Sequence, residues 1–204
     1  MVPAAGCGSG DGTSAPAFSV AAPSHGAERR AVLVVGDSLA DEMRPHLPAA
    51  LPGWRVRVDA VWGRPLADGM RILAAERAPP AILAVSLFTN DDPRDVRRLE
   101  AAVRATAARP GGCAVWATIV APSYEGVSHE GANALLRRLA RERRLALELV
   151  DWARAVERDP ALMSGDEVHA SAEGYRARAR MYAGAIRRCA VRRDRGAPGA
   201  DIAP

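Results

Sequence analysis

The sequence of 204 residues has neither lysine nor glutamine, so all 28 basic side chains are arginine. With its abundant alanine this is the bias of a GC-rich genome, a mark of origin rather than of function. Cysteine is scarce: Cys7, Cys113 and Cys189 stand far apart and lack the paired spacing of a zinc finger, so no metal site is expected. Aromatic residues make up only 4% of the chain. No stretch approaches the roughly 18 apolar residues of a membrane-spanning helix, and no internal repeat is visible. What is there is ordinary for one folded domain: 49% hydrophobic and 25% charged residues, which exclude wholesale disorder, in a chain long enough for a single core. The net charge of +4 raises the question of a nucleic-acid partner. The arginines are spread along several helical stretches, however, and the densest run, RRCAVRRDR at 187–195, stands at a chain end. No nucleic-acid partner is expected.

Residues 1–28 are rich in Gly, Ala, Ser and Pro without apolar periodicity, the composition of a flexible linker outside the core. Within them AAGC at 4–7 resembles the end of a bacterial lipoprotein signal, in which a lipid is attached to the cysteine. No charged start or apolar run precedes Cys7. Two expectations follow: a start upstream, with a lipid anchor at Cys7 and export to the cell envelope, or a cysteine without a role in a disordered tail and a cytoplasmic chain. A domain over 29–191 and a flexible tail over 192–204 complete the expected organisation.

From residue 31 the pattern alternates. Val-, Ile- and Leu-rich runs at 31–35, 55–61, 81–87, 113–119 and 145–150 have the length of buried strands. Helical stretches occupy about 39–50, 65–78, 93–108, 129–143 and 171–190. NALLRRLARERR at 133–144 shows the form, with Leu135, Leu136, Leu139 and Ala140 on one face and arginine on the other. Alternation of this kind predicts a flavodoxin-like three-layer α/β/α sandwich around a five-stranded parallel sheet, with ligands at the carboxyl ends of the strands.

The first strand runs into GDSL at 36–39. Gly36 permits a sharp turn, and Ser38 falls at the start of a helix, where free N–H groups and the dipole favour developing negative charge. A serine there is either an N-cap or a nucleophile. SGDEVHASAEGY at 164–175 offers a base: Asp166 can hold the His169 imidazole while its other nitrogen faces a serine. His25, His46 and His129 are read as solvated or capping residues. TND at 89–91 places Asn90 at the same sheet edge, either as a helix cap or as an oxyanion donor, and DAVWGRP at 59–65 places Gly63 where its N–H can approach a ligand.

This order of Ser, Gly, Asn and Asp-x-x-His resembles the SGNH hydrolases, the GDSL esterase and lipase family, over nearly all of residues 31–189. VWGRP at 61–65 and LVDW at 149–152 are similar to the SGNH domains of bacterial cell-envelope O-acyltransferases and their esterase relatives. The resemblance implies catalytic Ser38, Asp166 and His169, with oxyanion donors from the Ser38 N–H, the Gly63 N–H and the Asn90 amide. It implies acyl transfer through an acyl-enzyme without cofactor or metal, by a monomer acting on a small-molecule or glycan ester. Three functions follow from it: hydrolysis of short-chain O-acyl esters, O-acyl transfer to an envelope polysaccharide, or a catalytically silent binding domain. Two departures stand out. Phe88 occupies the glycine position of the family's G-x-N-D block, and DEVHAS stands where DGVHP is commoner. Phe88, Trp62 and Tyr124 are expected to crowd the acyl pocket and favour short chains.

Cys113 begins the fourth strand and Cys189 ends the last helix, so both are expected at the sheet edge opposite the site. The pair is read either as a disulfide or as two buried thiols.

Overall fold

A computed structural model describes residues 17–23 and 29–196. Five strands, β1 (Ala31–Gly36), β2 (Arg55–Ala60), β3 (Ile82–Ser86), β4 (Cys113–Ala117) and β5 (Leu147–Val150), form one parallel sheet in the order β2-β1-β3-β4-β5. β3 and β4 are buried along their whole length and β1 beyond its first residue. Burial on both faces is why they read as unbroken apolar runs. β2 lies at an edge and alternates exposed Arg55 and Arg57 with Val56 and Val58, charges that discourage pairing with another chain.

The helices are α1 (Ser38–Met43), α2 (Leu47–Ala50), α3 (Leu66–Ala75), α4 (Val96–Ala107), α5 (Glu130–Leu139), α6 (Trp152–Arg158) and α7 (Ala172–Gly196). The sheet grows one way from β1 to β2 and the other way from β2 through β3, β4 and β5. Right-handed crossovers therefore put α1 on one face and α3, α4 and α5 on the other. Alternate residues of β1 feed the two cores: Val32 and Val34 pack with α1 and α7, whereas Leu33 and Val35 pack with α3, α4 and α5. Three layers result, as the alternation predicts.

Several boundaries differ from the sequence reading. The helix expected over 39–50 is interrupted by a 3₁₀ turn at Arg44–His46, because Pro45 and Pro48 supply no N–H to a continuous ladder. α6 was not anticipated. Part of the expected linker is packed: Phe18 and Val20 lie against the second core cluster, and Arg109 donates to the Ala21 carbonyl at 3.4 Å. α7 runs to Gly196, so the expected tail begins helical. Cys7 lies outside the described residues. Cys113 and Cys189 are joined by a disulfide, with Cα atoms 5.6 Å apart.

Candidate active site

β1 and β3 are neighbours from which the chain departs in opposite directions, the point at which ligands bind in open α/β sheets, and the loops after them carry Ser38 and Asn90. Gly36 ends β1 against β3: a Cβ there would lie 2.3 Å from the Ala40 Cβ and 2.9 Å from the Ser86 carbonyl oxygen. Only glycine lets the chain turn so close to its neighbour. Asp37, not Ser38, is the N-cap, its carboxylate accepting from the Leu39 N–H at 3.1 Å. Ser38 is thereby left as the first residue of α1, and its hydroxyl faces His169.

The His169 Nε2 lies 3.1 Å from the Ser38 Oγ across 131 positions of sequence, and Asp166 Oδ2 lies 2.6 Å from the His169 Nδ1. The loop carrying Asp166 and His169 is closed at its ends by a bridge between Met163 and Ala170 and by a bond from the Ser164 N–H to the His169 carbonyl at 2.8 Å. Asp166 Oδ1 accepts from the Ser164 hydroxyl at 2.6 Å and from the Val168 and His169 N–H groups at 3.1 and 2.9 Å. The Ser164 hydroxyl above all, then the His169 ring and these two N–H groups, hold the Asp166 carboxyl well below the usual carboxylate range. An ionised Asp166 fixes the proton on Nδ1 and leaves Nε2 to accept from the serine.

Asn90 follows β3 and does not cap α4, which begins at Val96 with Asp95 as its N-cap. Its Nδ2 lies 3.4 Å from both the Asp37 Oδ2 and the Arg64 carbonyl, so the amide bridges the residue before Ser38 and the residue after Gly63. Gly63 has φ 69°, the left-handed backbone glycine adopts without strain, in a turn closed by the Arg64 N–H on the Val61 carbonyl at 3.2 Å. Asp91 accepts from the Leu66 N–H at 2.8 Å and ties the start of α3 to the same loop. Burial pushes the Asp37 carboxyl up to about 6, against the opposing charge of Arg178. The Arg178 side chain is itself buried between Trp152 and Tyr182 and donates to the Ser86 hydroxyl at 3.2 Å.

Neither a family model nor a curated protein matches the chain. Solved structures do. The C-terminal catalytic domain of the Streptococcus pneumoniae peptidoglycan O-acetyltransferase OatA superposes with TM-score 0.63 at 21% identity, covering 88% of this chain and 97% of that one. A Slackia heliotrinireducens protein assigned to the SGNH hydrolases gives 0.57 at 21% identity over 76% and 98%. The psychrotrophic esterase EstA of a Pseudoalteromonas species gives 0.58 at 16% identity over 78% and 97%. The chain has the SGNH hydrolase fold.

Both departures from the SGNH pattern fall on left-handed backbone. Phe88 has φ 84° and Glu167 has φ 61°, at the two positions where glycine is the commoner residue. Phe88 is fully buried in the second core cluster, edge-on to His129 with ring centroids 6.3 Å apart. It does not line an open pocket, contrary to the expectation from sequence. His129 is buried as well; it stands at the N-cap of α5 without a side-chain capping bond, and is not the solvated residue that was the other expectation. Tyr124 is exposed on the loop after β4 and makes no ring or hydrogen-bond contact with Ser38 or His169 among the described residues. Trp62 is also exposed, but it stacks on His169. Asp37, Ser164 and Asp91 were missed. An acidic residue directly before a helix start was the available signal for Asp37.

Proposed function

We propose that the chain is a serine esterase that cleaves O-acyl esters through an acyl-enzyme. The observation that carries this reading is the run of contacts from Asp166 through His169 to Ser38, at 2.6 and 3.1 Å. Ser38 attacks the ester carbonyl while His169 takes its proton. The Ser38 N–H, the Gly63 N–H and the Asn90 amide receive the oxyanion, and His169 returns the proton to the departing alcohol. Water then releases the acid. The test is hydrolysis of p-nitrophenyl acetate: Ser38→Ala abolishes it, and Asn90→Ala lowers kcat by about 10²–10³, the size of one lost oxyanion donor. Hydrolysis that survives Ser38→Ala refutes the mechanism, and a wild-type protein without activity favours a silent binding domain.

The likeness to the peptidoglycan O-acetyltransferase domain supports a second reading, in which a sugar hydroxyl of an envelope polysaccharide replaces water in the deacylation step. Acetyl transfer to an added glycan, in competition with acetate release, separates the two. The second reading places the chain at the cell envelope, where such a polysaccharide lies.

A further inference from the structure

Trp62 has a place that the reaction scheme does not use. Its indole is 59% exposed, yet its position is fixed. One face stacks on the His169 imidazole, with centroids 5.3 Å apart and planes inclined by 28°. Its Nε1–H donates to Asp41 Oδ2 at 3.2 Å. Asp41 stands one turn after Ser38 on α1 and is braced by Arg44 at 2.7 Å. Ordering an exposed aromatic ring in this way leaves a flat apolar surface open to solvent beside the base.

Chemistry decides which part of an ester meets that surface. In acylation the bond from the Ser38 Oγ to the acyl carbon forms and the bond from that carbon to the alcohol oxygen breaks. The proton passes from Ser38 to His169 Nε2 and then to the alcohol oxygen. The acyl carbonyl oxygen points to Asn90 and Gly63, whereas the alcohol leaves past the imidazole. A ring stacked on that imidazole therefore borders the alcohol and not the acyl chain. The sequence reading had placed Trp62 in the acyl pocket.

We propose that Trp62 forms the wall of an alcohol subsite and makes the chain selective for esters whose alcohol carries a six-membered ring able to lie flat on the indole. The inference rests on the esterase reading. Its test compares kcat/KM for cyclohexyl acetate and isopropyl acetate, which share the acyl group and a secondary alcohol oxygen. Trp62→Ala and Trp62→Leu are expected to lower the cyclohexyl-to-isopropyl ratio about five- to tenfold, the size of one lost stacking contact. Trp62→Phe restores most of it. The ratio of cyclohexyl acetate to cyclohexyl butyrate does not move. A methyl acetylglucoside that shows the same fall extends the subsite to pyranosides, and one that does not confines it to hydrocarbon rings. A ratio unchanged in the alanine and leucine variants overturns the proposal, as does a change in the acetate-to-butyrate ratio instead. A wild-type protein inactive on every one of these esters overturns the esterase reading along with it.

Discussion

Asp37 shows how one side chain can serve geometry at the expense of stability. It is wholly buried, caps α1 through the Leu39 N–H and lies 3.4 Å from the Asn90 amide, so it sits between the candidate nucleophile and a candidate oxyanion donor. Burial raises its carboxyl from the ordinary 3.8 to about 6. A carboxyl raised on folding contributes stability that is fully present below its unfolded value and is lost as pH rises through the folded one. The window runs from about pH 4 to pH 7, and the shift corresponds to about 3 kcal/mol over it. Other groups titrate in the same window. Burial also raises the Asp91 carboxyl, which adds to the decline, whereas burial lowers the His129 imidazole and Arg104 lowers the Glu142 carboxyl, which oppose it. The Asp37 contribution is therefore read as a difference between wild type and variant. Asparagine caps helices as well as aspartate does and carries no charge. In urea unfolding, the stability of the wild type relative to Asp37→Asn is therefore expected to fall by about 3 kcal/mol between pH 4 and pH 7. Equal pH slopes for the two proteins would show that Asp37 titrates as it does in the unfolded chain.

The loop between α6 and α7 carries both Asp166 and His169, and its bend is made at Glu167. This exposed residue holds φ 61° without a β-branched or glycine exception. Left-handed backbone costs a residue with a Cβ about 1–2 kcal/mol, and glycine's extra chain entropy returns about half of that. Glu167→Gly is expected to raise stability by about 0.5–1 kcal/mol, seen as a higher urea midpoint at unchanged slope. A lower midpoint would mean that the Glu167 side chain makes a contact worth more than the strain. The residues of this loop were legible in the sequence because Asp and His three apart before a helix satisfy a chemical requirement. Its strain showed only as a glutamate where glycine is commoner, because the φ itself follows from the closure between Met163 and Ala170. Strands buried on both faces were legible as apolar runs. α6 was not, since its seven residues make fewer than two turns, too few to show a period. Phe18 and Val20 were hidden for the opposite reason, as isolated apolar residues in a Gly- and Pro-rich stretch. For Phe88 the sequence shows the lost glycine, but only the backbone reveals that the ring turns into the core.

At the scale of the molecule the sheet separates stability from chemistry. The serine, the histidine and the candidate donors gather at the carboxyl ends of the strands, and the bridge from Cys113 to Cys189 lies at the other edge, where β4 begins and α7 approaches its end. α7 spans the whole face, from the loop carrying His169 to the disulfide. The bridge joins positions 76 apart in sequence, and closing a loop of that length removes unfolded-chain entropy worth about 4 kcal/mol. Both sulfurs are buried, so alanine at each position leaves a small void but no unpaired polar group. Cys113→Ala with Cys189→Ala is expected to lower unfolding free energy in guanidinium by about 4 kcal/mol. The kcat for p-nitrophenyl acetate, measured where both proteins are folded, stays at the wild-type value, because the first turn of α7 is held by its own contacts. There the Gly174 N–H donates to the Ser171 hydroxyl at 3.1 Å and the Ser171 N–H to the Leu162 carbonyl at 2.8 Å. A kcat that falls together with stability would show instead that the disulfide sets the position of α7 along the sheet, and through it the distance from His169 to Ser38.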